Sequence, residues 1–409
     1  MEACDIVSSS TDLLHPTMHK RNPRIPRLSA HRDQDIGTRE TDKPTGTSQP
    51  AKRKRRSRGR DGWTQRRWAI PLALVVLVLS VYALSPTDAN IAHPLIFLSY
   101  KISGDDDDDI DGSGTAAAVY GKGPRDAAFV AFYTAVLFAA RELLMAEVLR
   151  PLAAWHGIAS RARRARFDEQ AYVALYTAAA GPLGLCVMRG SPAWYFSTPG
   201  LYAGYPHRAL GAPAKAYYLV QAAFWAQQAL VMLLGLERRR RDFRELVAHH
   251  LVTLSLIALS YRFHFTMMGV LVYITHDISD FFLATSKCLN YIDSPLQGPY
   301  YALCVAVWVY LRHYINLKIL LSVLTEFRTI GPYVLDWEAG QYKCALSAAI
   351  TFALLAALQA LNLYWLYCLL RNGYRFVVFG IAKDDREEED DKEDDQQTAN
   401  LAEYERRRK

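Results

Sequence analysis

Eight stretches of this chain are apolar enough to be read as membrane-crossing helices: 68–84, 126–149, 171–188, 215–236, 246–262, 265–285, 300–324 and 344–371. Several approach the roughly 20 apolar residues that cross a hydrocarbon layer as a helix. The two ends, 1–67 and 382–409, are strongly polar. The pattern predicts an all-α polytopic membrane protein with about eight transmembrane helices, since a helix satisfies its own backbone in lipid. It excludes a soluble single-domain enzyme, and the same apolar runs exclude a wholly disordered chain. Residues 1–50, rich in Pro, Ser, Thr, Asp and Arg without periodicity, read as disordered. No cleavable signal peptide is visible, because the first apolar run begins only at Trp68.

Charge adds an orientation. Of the 48 Lys and Arg, 16 fall in the first 67 residues, and nine of those lie between Lys52 and Arg67. Directly before an apolar run, such a block suits a cytosolic membrane-surface anchor better than a nucleic-acid patch. If eight spans alternate, the arginine-rich 150–170 and 237–245 loops share that side. The opposite, luminal side receives the Asp105–Asp109 run, the aromatic 190–214 loop and the 326–343 loop. Both termini are then cytosolic. Ten acids between Asp384 and Asp395 read as a solvated tail, and the final Arg406-Arg407-Arg408-Lys409 hints at retention early in the secretory pathway. The six cysteines (Cys4, Cys186, Cys288, Cys304, Cys344 and Cys368) form no CxxC pair, so neither a disulfide framework nor a cysteine zinc site is expected.

Candidate chemistry concentrates in 237–291. One apolar helix carries His249 and His250, and the next carries His276, Asp277 and Asp280. Ionisable groups at membrane depth are costly, so five within 32 residues point to a functional site, with a hydrogen-bonded structural cluster as the alternative. The tight junction near Phe263–His264 lies about 14 residues from both His249 and Asp277, or roughly 21 Å of helix, so an antiparallel pair brings them to one depth. His276, Asp277 and Asp280 are expected on one side of their helix. His249 shares a face with Thr253 and Ser260 and should point into a polar interior, whereas His250 lies over Leu254 and Ile257. His264 is expected at the interface, and His313 as a satisfied bundle residue. Imidazole beside carboxylate suits general acid–base work, and a histidine can also accept an acyl group. No serine elbow completes a hydrolase triad. Zinc is a possible use of His and Asp, while one HH pair is too few for a di-iron oxygenase.

The block 243–291, with its HH pair, SYRFHFTMMG, HDISDFF and SKCLNY, resembles the longevity-assurance motif of ceramide synthases in the TLC superfamily. SPAWYFSTPGLYAGYPH at 191–207 is similar to the fungal members, and the likeness covers about 165–375. The chain lacks the homeobox-like insert of many animal members. The resemblance implies a catalytic subunit that joins a fatty acyl-CoA to a sphingoid long-chain base, giving dihydroceramide or phytoceramide in the endoplasmic reticulum membrane. It carries the family's essential histidines onto His249 and His250 and its aspartates onto Asp277 and Asp280. It implies no cofactor, with acyl-CoA as co-substrate, and suggests a small single-span accessory subunit, a homodimer or a heterodimer with a paralogue, and no nucleic acid. Substrate contacts are expected from Arg238, Arg239, Arg240, Arg241 and Arg244 on coenzyme A phosphates, and from Thr253 and His276. Acyl length should depend on cavity depth and on the 326–343 loop. The domain plan is a basic cytosolic tail (1–67), two spans with an acidic luminal loop (68–164), a TLC-like catalytic domain (165–375) and an acidic cytosolic tail (376–409). Two other classes fit the same features: a non-enzymatic TLC-fold lipid sensor or lipid chaperone, and a zinc-dependent membrane amidohydrolase.

Overall fold

Helices dominate the chain because its apolar runs must satisfy their backbone internally. The structure is a computed structural model and describes residues 67–102, 118–158, 160–237 and 242–380, together with Glu403 and Arg406. The basic block up to Arg66, the Asp105–Asp109 run, Arg238–Arg241 and nearly all of the acidic tail lie outside the described residues.

Among the described residues, eight helices of 16 residues or more occupy the eight expected stretches. They are α1 (Ala69–Leu84), α2 (Arg125–Trp155), α3 (Arg161–Arg189), α4 (Ala212–Leu233), α5 (Phe243–Arg262), α6 (Thr266–Tyr291), α7 (Gln297–Thr325) and α8 (Ala345–Phe379). Six of these, α2, α3 and α5–α8, are both long and apolar enough to cross a membrane, which makes the chain a multi-pass membrane protein. Helix α1 has only 16 residues. Helix α4 has 22 but carries Lys215, Gln221, Gln227 and Gln228.

The boundaries correct one expectation. The arginines placed in a 150–170 loop sit on helix: α2 runs on to Trp155 and α3 begins at Arg161. The Ser160 hydroxyl accepts from the Arg163 N–H at 3.3 Å and caps α3 there. Polar helical turns are as stable as apolar ones once they leave the hydrocarbon, so hydropathy marks the membrane and not the helix. Helix α3 lies close against α6 because Gly184 leaves room. A Cβ there would come within 2.7 Å of Ile274 and overlap the Tyr217 hydroxyl as well. Helix α7 contains a π-helical segment, Val309–Ile315, that widens its turn around Arg312 and His313.

The connections gather at two ends of the bundle. At the basic end, Arg163 pairs with Asp293 at 2.7 Å and Arg141 with Glu237 at 2.6 Å. At the aromatic end, three two-residue strands, β1 (Lys101–Ile102), β2 (Val119–Tyr120) and β3 (Leu210–Gly211), form an antiparallel sheet. A second pair, β4 (Leu335–Asp336) and β5 (Gln341–Tyr342), makes a hairpin in the 326–344 connection. Buried Lys215 pairs with Asp126 at 2.7 Å, whose other oxygen accepts from the Tyr261 hydroxyl at 2.8 Å. This network ties the start of α2 to α4 and α5.

His264 belongs to this aromatic end rather than to an open interface. Its ring stacks on Tyr342, and Nδ1 lies 3.4 Å from the Lys122 amine. Burial, followed by the charges of Lys122, Arg208 and Arg262, holds its imidazole down at about 4. An unfolded histidine titrates near 6.5, so the folded state resists the proton and stability falls as pH drops from about 6.5 to about 4. The thermal midpoint of the purified protein should decline across that window, and His264→Gln should flatten the decline. An unaltered slope in the variant would place the acid sensitivity elsewhere.

Candidate active site

Helices α5 and α6 run antiparallel through a three-residue junction, and this sets the depth of every candidate group. His249 and His250 are both buried on α5. The His249 ring sits between two indoles, with centroids 5.5 Å from Trp225 on α4 and 5.2 Å from Trp365 on α8. Trp365 is itself held by its Nε1–H to Asp242 Oδ2 at 3.3 Å. Nε2 of His249 lies 3.5 Å from the Thr253 hydroxyl, as the shared face suggests. Nδ1 is buried and has no hydrogen-bond partner among the described residues. Buried polar atoms are nearly always satisfied, so this nitrogen is a candidate to engage a substrate atom. His250 differs, because its Nδ1 is engaged with the Leu246 carbonyl at 2.9 Å.

The three groups on α6 separate rather than converge. Asp277, 1% exposed, accepts from the Tyr217 hydroxyl at 3.1 Å and from the Gln221 amide, both on α4. Asp280 turns toward α7 and pairs with Arg312 at 2.5 Å. His276 binds the Val272 carbonyl through Nδ1 at 2.8 Å, and its Nε2 has no partner among the described residues. Residues three and four apart are neighbours on a helix, but a 100° step per residue fans them over three packing partners. Among the described residues, no group of three or more His, Cys, Asp or Glu side chains could hold a metal ion.

Arg312 is the principal residue that sequence reasoning missed. It is 2% exposed, stacks on Trp308 at 4.2 Å, and donates to Ser279 (2.6 Å), Asn362 (3.1 Å) and Asp280. One guanidinium thereby ties α6, α7 and α8 together beside the histidines. The available signal was an arginine inside an apolar run, which the neighbouring His313 obscured. His313 departs from the satisfied residue expected: its Nδ1 lies 2.7 Å from the Gln359 amide, but its Nε2 is buried without a partner among the described residues.

Two cavities lie on either side of Trp225. The first, of about 300 Å³, opens among the basic-end turns and is lined by His249, His250, Asp280, Lys287, Arg312 and Trp365. The second, of about 190 Å³, runs toward the aromatic end and is largely apolar. His276, Thr253, Tyr273 and Leu355 line it, as do Trp337 and Tyr342 at the aromatic end. Trp225 belongs to both walls. His249 is in the first cavity, and its hydrogen-bonding neighbour Thr253 is in the second. Of the expected phosphate contacts, Arg244 is exposed at the start of α5, and Arg238–Arg241 lie outside the described residues.

Residues 166–371 match the TLC domain family. The chain is 54% identical over 322 residues to the sphingosine N-acyltransferase-like protein FUM17 of Gibberella moniliformis, covering 78% of this chain and 82% of that protein. It is 46% identical over 323 residues to ceramide synthase LAG1 of Saccharomyces cerevisiae, covering 78% and 76%. It is 44% identical over 324 residues to sphingosine N-acyltransferase lac1 of Schizosaccharomyces pombe, covering 79% and 81%.

Proposed function

Because this chain belongs to the TLC-domain family, we propose that it is a ceramide synthase: it transfers the acyl group of a fatty acyl-CoA to the amine of a sphingoid long-chain base. The observation that carries the reading is the buried His249, its Nδ1 without a partner among the described residues, on the wall of the more polar of two cavities that share Trp225. An acyl-CoA has the same two-part character. Its nucleotide is anionic and its chain is a hydrocarbon, so the head belongs at the basic end and the chain in the apolar cavity. The thioester then lies between the two cavities, beside His249.

The chemistry follows from that placement. The amine nitrogen bonds to the thioester carbonyl carbon, the carbon–sulfur bond breaks, and coenzyme A leaves with the proton that the imidazole takes from the amine. In the covalent variant the imidazole first accepts the acyl group and releases coenzyme A, and the amine then attacks the acyl-imidazole. His250, fixed by the Leu246 carbonyl, supports the neighbouring ring. Asp280, with Arg312, supplies charge at the same depth, and Asp277 anchors α6 to α4. Lys287, which lines the first cavity, and Arg244 at the start of α5 are cations on offer for coenzyme A phosphates, and Arg238–Arg241, outside the described residues, are expected to add to them. We place the basic end in the cytosol and the protein in the endoplasmic reticulum membrane, with both termini cytosolic and 165–375 as the catalytic domain.

Sealed microsomes from a host without its own ceramide synthase test activity and orientation together. Microsomes carrying this chain should convert labelled acyl-CoA and sphinganine to dihydroceramide without permeabilisation. No product under any condition would contradict the activity and favour a non-enzymatic lipid-handling role. Product only after permeabilisation would reverse the orientation.

A further inference from the structure

We propose that Lys343 is a positioning residue that sets the acyl-chain length the enzyme accepts, by fixing the floor of the apolar cavity. The inference rests on the reading that this cavity holds the acyl chain.

Lys343 has no exposed surface. Its amine donates to the Ile330 carbonyl and lies over three aromatic rings, 5.1 Å from the centre of Tyr202, 5.5 Å from Tyr205 and 5.4 Å from Phe327. A cation so enclosed is held by the faces of the rings, an interaction that strengthens when water is excluded. Its two chain neighbours, Tyr342 and Cys344, both line the apolar cavity, while Lys343 does not. Successive side chains of an extended segment point to opposite faces, so turning Lys343 into the cage turns Tyr342 and Cys344 into the cavity.

The cage is also continuous with the rest of the floor. Tyr205 stacks on Phe265 at 4.8 Å, and Phe265 stacks on Phe327 at 5.5 Å. The Tyr205 hydroxyl accepts from the Tyr342 N–H at 3.1 Å and donates to the Phe263 carbonyl at 3.1 Å. Phe263, Phe265, Trp337 and Tyr342 all line the cavity. Lys343 thus holds the 326–344 connection against Tyr202 and Tyr205, and Tyr205 carries that hold on to the α5–α6 junction, where Arg262 also donates to the Tyr342 hydroxyl at 3.3 Å. A floor held this way ends the cavity at one depth; a floor released from its anchor yields to a longer chain.

The test measures products from a graded mixture of saturated acyl-CoAs with sphinganine, in microsomes at matched expression. Lys343→Met keeps the length and the apolar stem but removes the charge. It should raise the ratio of over-length to preferred product by about tenfold, the scale on which an apolar pocket discriminates one or two methylenes, with turnover of the preferred chain little changed. Lys343→Arg, which keeps a cation over the rings, should restore much of the discrimination. Phe327→Leu removes one ring and should give an intermediate shift, so the test survives poor folding of the methionine variant. Thr351→Phe, which fills the cavity partway up, should suppress the longer chains whatever Lys343 does. A shift with Thr351→Phe but none with Lys343→Met or Phe327→Leu would overturn the role of Lys343 alone. No shift in any variant would overturn the acyl cavity itself and the inference with it.

Discussion

Replacing His249 with alanine should abolish turnover while leaving a folded, membrane-inserted protein. Losing a positioned acid–base group costs on the order of 10²–10⁴-fold in rate, and a lost nucleophile costs more. Folding should survive because the ring contributes little that its neighbours need. Its Nδ1 has no partner among the described residues, and the indoles of Trp225 and Trp365 remain to fill the space. His250→Ala should be milder in rate and harsher in stability, since it removes a side chain bonded to the Leu246 carbonyl. Single-turnover kinetics separates the two chemical routes. With acyl-CoA alone, a nucleophilic His249 releases coenzyme A and leaves an acylated peptide that the alanine variant lacks. A general base releases coenzyme A only when the amine is present. Full activity in His249→Ala would contradict both routes.

Asp280→Asn should lower kcat by about 10²-fold, the scale of removing one preorganised charge from an active site. The cause lies in its pair. Arg312 is buried and reaches Asp280 at 2.5 Å, so neutralising the acid leaves a guanidinium with an uncompensated charge inside the bundle. Breaking a buried pair from one side costs about 3–5 kcal/mol, whereas replacing both partners with apolar residues is often neutral. The double variant Asp280→Leu/Arg312→Met should therefore recover the thermal midpoint that Asp280→Asn loses and still fail to turn over. Recovery of both stability and turnover would reduce the pair to a structural tie between α6 and α7.

The eight helical stretches were legible because each is a long apolar run, and the reactive region was legible because five ionisable groups stand out against hydrocarbon-compatible neighbours. What the sequence concealed is what depends on partners from distant helices. Asp277 and Asp280 look equivalent along α6, yet one meets Tyr217 and Gln221 and the other meets Arg312. Arg312 and Lys343 read as isolated cations in or beside apolar runs, since the acid of one and the aromatic rings of the other lie 16 to 141 positions away. Trp225 and Trp365 carry no signal in an aromatic-rich membrane chain, although they flank the central imidazole. Helix ends were misjudged around 150–166 because hydropathy ends where lipid ends, while Ser160 and the polar turns decide where the helices stop.

The division of one substrate between two cavities across His249 is most directly measured by photo-crosslinking. An acyl-CoA carrying a diazirine at the far end of its chain, bound to the purified protein and irradiated, should label peptides that line the apolar cavity at the aromatic end: 335–337, 342–358 and the neighbouring 256–269. Labelling confined to the basic-end residues 283–301 or 368–376 would put the chain in the other cavity and contradict the account.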